Sequence, residues 1–513
     1  MKTVILALAI LALSAVADAK TLYVNASTGN DATTYANNDI NNPWLTLCRA
    51  TNGATSCAWP GSTNAAQAAQ CGDTVLVTGN HSTAGNNQRY LVAFQPAATG
   101  CTSANRVTFR STTGSVLSLS SGAGPVFGAF QRDGIVWDGF SVNGVVSPYV
   151  ADTGHVIIVE SDDCQLLNST ITGDPNTAGG DNYNGLRIEK ANDTLIKNNT
   201  ITQIAQDGVY VPGNADAIGM YSNNRTTIEN NYIHQIANGI YVKGITAGFT
   251  QEDTIIRLNK IADLRGGLGI AVLGAEGALI YSNTIQCTTG SPNAFSVFGF
   301  ATGSGSGTTV PIDIDFYNNT AVSCPGGVIY GFNTSQSANP EYQNIRVWNN
   351  IFYDCGQGVS SVDITLATIG DTNHEHNDYH SCNTNFAELP GGVFYTYAQW
   401  QTTSNPDQDS ASPASITSDP LLANVAGGDY RLCTASGLPE AGCTGASPAI
   451  NLGRTFVGGT TNTGAYITNL ECIGLESECD EPPPAAGPVR IRRVPDVLLF
   501  AAGLIPLFWR KAA

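Results

Sequence analysis

One pattern recurs through residues 184–289, and it leaves few folds open. Asn184-Gly185-Leu186-Arg187-Ile188 is followed by Asp193-Thr194-Leu195-Ile196-Lys197-Asn198-Asn199-Thr200-Ile201. The order returns as Asp207-Gly208-Val209-Tyr210-Val211, then Thr226-Thr227-Ile228-Glu229-Asn230-Asn231-Tyr232-Ile233. It returns again as Asn238-Gly239-Ile240-Tyr241-Val242, then Asp253-Thr254-Ile255-Ile256-Arg257-Leu258-Asn259-Lys260-Ile261. A fourth copy has Gly269-Ile270-Ala271-Val272, then Ala278-Leu279-Ile280-Tyr281-Ser282-Asn283-Thr284-Ile285. Each unit is a short alternating strand after a glycine, a turn, a second alternating strand, then Asn-x-Ile.

Alternation with period two means a β-strand with one buried face. A repeat of about 20–50 residues signals a stacked array. Each unit is too small to bury its own apolar face, so its neighbours must cover it. With strands this short and no helical pattern between them, the array is a coil of parallel strands whose buried face runs up the axis. Asparagine suits the corner, because it tolerates left-handed backbone geometry and its amide can satisfy turn groups. Asparagines on successive coils can also bond one another along the axis.

Composition agrees. Charged residues are 12% and glycine numbers 55, which favours strands and turns over helices. A length of 513 residues would ordinarily suggest several domains, but repeat arrays grow in one dimension. The formal net charge of −18 argues against a nucleic-acid partner, which needs a basic face. It would also repel an acidic polymer unless Ca²⁺ or a local basic groove intervenes.

Residues 1–19 read as a secretory signal peptide: Met1-Lys2, an apolar run over 4–16, then Ala17-Asp18-Ala19. Export would make disulfides natural among the thirteen cysteines. Cys433/Cys443 and Cys472/Cys479 are close in sequence. Cys324, Cys355 and Cys382 fall at one place after the Asn turn, so adjacent coils can be stapled there. The odd count leaves at least one cysteine without an internal partner.

Residues 20–102 form the expected N-terminal cap and first rungs. Lys20-Thr21-Leu22-Tyr23-Val24-Asn25, Ser27-Thr28-Gly29-Asn30-Asp31, Asn42-Pro43-Trp44-Leu45-Thr46-Leu47 and Cys71-Gly72-Asp73-Thr74-Val75-Leu76-Val77 occur in order. This resembles the opening of secreted pectate-lyase-like β-helix proteins. The resemblance implies an all-β, right-handed parallel β-helix with a helical cap, for which residues 65–69 are the strongest helix former. The solenoid itself is expected over 103–385.

Residues 386–475 carry Ser418-Asp419-Pro420-Leu421, Gly428-Asp429-Tyr430-Arg431-Leu432, Ala446-Ser447-Pro448-Ala449-Ile450-Asn451 and Thr463-Gly464-Ala465-Tyr466. They resemble the choice-of-anchor end of bacterial β-helix proteins, which implies a capping region. A Pro-rich linker over 476–495 precedes an apolar segment over 496–513 that ends in cations. That tail resembles the PEP-CTERM class of sorting signals and implies surface attachment, with membrane contact through the C-terminal segment.

Aligning the first strands on their glycines puts Leu186/Ile188, Val209/Val211, Ile240/Val242 and Ile270/Val272 inside. It puts Arg187, Glu189, Tyr210, Tyr241 and Lys243 outside, with Glu160 one rung before Glu189. Aromatic plates with cations and carboxylates suit a sugar chain along the solenoid. A uronate lyase needs a base and a group that neutralises the developing enolate. Lys243 or Tyr241 is expected as base, and Arg187 as neutraliser. Tyr210 and Glu160 are expected to bind substrate. Asp163, Asp193 and Asp216 follow the same strand at similar offsets and are expected to share a Ca²⁺. A glycosidase would instead use two carboxylates, Glu160 and Glu189. A non-catalytic surface adhesin, matrix or glycan-binding protein is the alternative.

Overall fold

Each coil is three strands and three corners, and stacking the coils makes three long sheets. The structure, a computed structural model, describes residues 19–55, 57, 64–145, 150, 152–175, 183–205, 215–244, 251–288, 293–301, 308–309, 311–333, 343–361, 372–383, 385–389, 392–402, 415–433, 446–449, 455–456 and 459–460. Sheet one has 12 strands, from Thr21–Asn25 to Thr372–Glu375; sheet two has 11, from His81–Ala84 to Asp378–His380. Sheet three has 12, from Phe127–Phe130 to Val393–Tyr395. Neighbouring strands in a sheet come from successive coils and pair in parallel, apart from the antiparallel pairs of Asn293–Ala301 with Thr308–Thr309 and of Ala387–Leu389 with Val393–Tyr395. This is a right-handed parallel β-helix.

The inward residues stack like on like. Sheet one aligns Leu166, Ile196, Ile228, Ile256 and Ile280. Sheet two aligns Ile171, Ile201, Ile233, Ile261 and Ile285. Sheet three aligns Leu186, Ile218, Ile240, Ile270 and Phe295. All are buried, and each such side chain stabilises the column by about 1.5–3 kcal/mol relative to exposure.

The corner between sheets one and two is a ladder. Asn199, Asn231, Asn259, Asn283, Asn319, Asn350 and Asn377 each lie within 1% of full burial. Each side-chain amide from Asn199 to Asn350 donates to the next Oδ1, at 2.9–3.0 Å. Each backbone N–H from Asn199 to Asn350 donates to that same oxygen. Asparagine alone among small side chains offers both a carbonyl acceptor and two N–H donors for this. The left-handed residue is the one before: Asn198, Asn230, Leu258, Ser282, Asn318, Asn349 and His376. The ladder asparagine therefore supplies the hydrogen bonds while its predecessor makes the turn.

The cap differs in place from the expectation. The helix is Leu47–Asn52, with the Thr46 hydroxyl accepting from the Arg49 N–H. Ala65–Gln67 makes only a single tight turn. Leu47, Cys48 and Ala50 join the main core, so this helix closes the open end of the column.

Disulfides link Cys48–Cys57, Cys71–Cys101, Cys287–Cys324 and Cys355–Cys382. Cys355–Cys382 staples adjacent coils as expected, whereas Cys324 pairs with Cys287, which lay outside the expected set; Cys164 is a buried free thiol among the described residues. Cys433 is also disulfide-bonded; Cys443, Cys472 and Cys479 lie outside the described residues.

Beyond the last full coil, Ile416 bridges Asp378 and prolongs sheet two. The hairpin of Leu422–Asn424 with Asp429–Leu432 then folds back over sheet two. Tyr430 packs on Val322, and Leu432 and Ala449 pack on Ile351. This region covers a flank as well as an end. The chain divides into two units, Met1–Leu475 and Glu476–Ala513. Residues 1–18, Tyr210 and the whole second unit, with the expected linker and tail, lie outside the described residues. Among the described residues no helix is long and apolar enough to cross a membrane.

Candidate functional site

The outer face of sheet three gathers most of the predicted strip, in a corrected register. Asn184–Glu189 pairs next with Asp216–Tyr221, not with the segment around Tyr210. That choice places Ile218 and Met220 between Leu186/Ile188 and Ile240/Val242. Two outward columns result. One runs Ile157, Arg187, Gly219, Tyr241, Ala271. The other runs Val159, Glu189, Tyr221, Lys243, Leu273.

Arg187 is 3% exposed and donates from Nε to Glu189 Oε2 at 2.9 Å, with a second nitrogen 2.8 Å from the same oxygen. Its plane lies 3.8 Å from the Tyr221 ring centroid. Its remaining terminal nitrogen, Nη1, is buried and has no hydrogen-bond partner among the described residues. Glu189 also accepts from the Tyr90 hydroxyl at 2.9 Å. Burial and the Glu189 charge push that phenol up to about 12.

Lys243 is 2% exposed and Asp216 0%. The ammonium lies 3.3 Å from Asp216 Oδ2, 3.4 Å from the Tyr221 hydroxyl and 4.0 Å from the Tyr241 ring centroid. Asn238 donates to Asp216 Oδ1 at 3.2 Å. Burial raises the Asp216 carboxyl above its ordinary range, against the pull of Lys243. Burial pulls the Lys243 ammonium down, but Asp216 and the two phenols outweigh it and hold it above its ordinary value, which favours the charged form. Tyr241 is pushed up to about 12, chiefly by burial.

Gly219 separates Arg187 from Tyr241. A Cβ there would lie 2.5 Å from Asn184 Oδ1 and 3.2 Å from the Tyr221 ring. A glycine inside a strand marks a close approach of this kind.

Other expected members sit elsewhere. Glu160 does not stack on Glu189; it is the left-handed turn residue after Val159. It meets Lys190 at 3.8 Å and accepts from Gln131 at 2.8 Å. Its carboxylate is engaged one position beyond the strip. The three aspartates do not converge. Asp163 and Asp193 are turn residues leading into sheet one. Asp163 lies 3.6 Å from Arg106, and Asp193 takes two 2.7 Å bonds from Arg225, which hold its carboxyl below the usual range. Asp216 opens a strand of sheet three, beside Lys243. Each is matched to a different cation. Among the described residues no three His, Cys, Asp or Glu side chains are placed to hold a metal ion. The aspartates do not fit a shared Ca²⁺.

Tyr221, Asn238 and Tyr90 were not expected. Asp216-Ala217-Ile218-Gly219-Met220-Tyr221 carries the same alternation as its neighbours, so the signal for Tyr221 was present but ambiguous. Tyr90 is 99 residues from Glu189 and carried no local signal.

No protein-family model matches the chain, and no curated protein matches it. Solved structures do. An alginate lyase in complex with G6, AlyF-OU02, is 14% identical, over 78% of this chain and 90% of that one, with a TM-score of 0.44. The family 6 alginate lyase AlyGC is 11% identical over 64% of this chain, with a TM-score of 0.36, and the match spans only 53% of that enzyme. PfbA, a surface adhesin of Streptococcus pneumoniae, is 12% identical over 63% of this chain and 80% of that one, with a TM-score of 0.39.

Proposed function

We propose that this is an exported or cell-surface protein that binds acidic polysaccharide on the outer face of sheet three and cleaves it by β-elimination. The observation that carries the reading is Arg187. A buried guanidinium nitrogen without a partner is costly, and a ligand carboxylate supplies the partner it lacks. Lys243, held charged beside it, adds a second cation to a protein of net charge −18. Disulfides persist in oxidising compartments, which supports export.

The step balances within these residues. A phenolate at Tyr241 takes the proton next to the uronate carboxyl. The carbon–carbon double bond forms as the glycosidic C–O bond breaks. Arg187 neutralises the carboxylate as it takes on enolate character. The Lys243 ammonium gives a proton to the departing oxygen. Lys243 is a poor base while Asp216 holds it charged, so it serves as the acid. Calcium enters no step. A panel of uronate polymers, assayed for the ultraviolet absorbance of unsaturated chain ends, tests the reading. We expect product on at least one polymer and no loss of rate in EDTA. No product on any polymer sinks it.

Glycan binding without turnover is the second reading. It is favoured by Tyr241, pushed up to about 12, which leaves little phenolate near neutral pH. Binding with no cleaved product at any pH would establish it.

A further inference from the structure

The proposed site has a closed end. The chain around residues 90–92 lies over the outer face of sheet three, on the N-terminal side of Arg187. Val92 is 1% exposed and forms an apolar cluster with Ile157 and Val159, themselves 0% and 1% exposed. Tyr90 and Phe130 pack against that cluster, with their rings stacked at 5.8 Å. Ile157 is the direct neighbour of Arg187 in its column, and Val159 of Glu189. The rung beside the guanidinium is therefore apolar and already occupied. The Tyr90 hydroxyl pins this cover to the site itself, through Glu189.

Asp216 and Lys243 are buried, at 0% and 2% exposed, so the part of the site open to a ligand is the partly exposed Glu189 and Tyr241. A chain running along the axis needs the next rung, about 4.8 Å away, for its next sugar. On the N-terminal side that rung is filled. A binding face open at both ends takes the interior of a polymer; one blocked at an end takes its terminus.

We infer that the site accepts the end of an acidic polysaccharide chain, releasing short products of uniform length, and that Tyr90 sets this limit. The inference rests on the reading under Proposed function and narrows it. Tyr90 touches Glu189 and not the reacting atoms, so it acts as a specificity-determining residue.

The test follows unsaturated ends and polymer viscosity together, with product lengths by chromatography. For the wild type we expect ends to accumulate while viscosity falls slowly, with one short product from the earliest times. Tyr90→Phe keeps the ring and should keep this product pattern. Tyr90→Ala opens the end and should give mixed lengths with an early fall in viscosity. An early collapse of viscosity in the wild type overturns the inference while leaving the lyase reading intact. If no polymer yields unsaturated ends, the lyase reading fails. Calorimetric binding of oligouronates with free or chemically capped termini then decides the inference. A tenfold or greater loss of affinity on capping supports it; equal affinity, or no binding, overturns it. Far-UV circular dichroism checks that Tyr90→Ala is folded, and the wild-type and Tyr90→Phe results decide the matter if it is not.

Discussion

The outer faces of sheets one and three are built from the same alternation and reach opposite ends. On sheet one, Lys197, Glu229, Arg257, Tyr281, Tyr317 and Trp348 occupy one column. Glu229 meets Lys197 at 2.8 Å and Arg257 at 2.5 Å. Burial would raise its carboxyl, but the two cations hold it below the usual range. Arg257 goes on to the Tyr281 hydroxyl at 3.1 Å. Tyr281 stacks on Tyr317 at 4.8 Å and Tyr317 on Trp348 at 4.9 Å. Each group is answered by the rung above or below, and the rings spend their faces on one another. On sheet three the partners come from different columns and from the distant Tyr90, and one guanidinium nitrogen is left over. Exposed charges and rings at regular spacing are the ordinary product of a solenoid. What separates sheet three from this column of sheet one is a buried charged donor, Arg187 Nη1, that its neighbours among the described residues do not satisfy.

The largest difference should appear in stability. Lys243→Ala leaves Asp216 buried without its cation and should cost about 3–5 kcal/mol. Arg257→Ala leaves Glu229 with Lys197 and should cost less, about 1.5–3 kcal/mol. Urea midpoints followed by circular dichroism measure both. Equal losses would show that the two faces do not differ in kind.

Next in size is the effect on the proposed reaction. Arg187→Ala should lower kcat/KM on the preferred polymer by on the order of a hundredfold. Arg187→Lys should recover little, because a point charge cannot hold Glu189 through two nitrogens and still reach a ligand. Arg257→Ala, on sheet one, should leave kcat/KM alone. If it lowers kcat/KM as far as Arg187→Ala does, the contrast between the faces is lost.

A smaller effect per step is the pH profile. The reacting form of Tyr241 is the phenolate, and burial has raised its pKa. Below that pKa the phenolate fraction grows tenfold per pH unit. The rate should therefore rise about tenfold per unit from near neutrality to about pH 10, provided the fold holds. Tyr241→Phe should abolish the slope. A rate flat in pH would remove Tyr241 from the role of base.

The smallest effect belongs to the ring ladder of sheet one. Tyr317→Leu should lose about 0.5–1.5 kcal/mol of stacking and leave polysaccharide binding unchanged. A change in affinity would turn that ladder from a structural device into part of a site.

Much of this molecule was readable in one dimension. The Ile and Val columns, the Asn-x-Ile corner, the staples at Cys355 and Cys382 and the outward setting of Arg187, Tyr241 and Lys243 all follow from local spacing. A parallel coil repeats each local choice on every turn, so a pattern within one unit fixes the neighbours of that unit. The cap was legible in kind but not in place. Residues 65–69 have the stronger helix propensity. Yet Thr46 caps Leu47–Asn52, whose Leu47, Cys48 and Ala50 fit the open end of the core.

What the spacing left open was register across a long turn, and contacts between distant segments. Residues 206–221 contain two stretches with period two, and local alternation weighs them equally. Only the need for Ile218 and Met220 in the core columns selects Asp216–Tyr221. That shift moved Tyr221 into the site and turned Asp216 from an expected calcium ligand into the partner of Lys243. Tyr90 depends on the path of an N-terminal segment across the third sheet, which no periodicity encodes. The repeat determined the column and which way its side chains point, because those follow from steric rules within a few residues. The tertiary structure alone decided which charges find partners, because pairing depends on distances between atoms far apart along the chain.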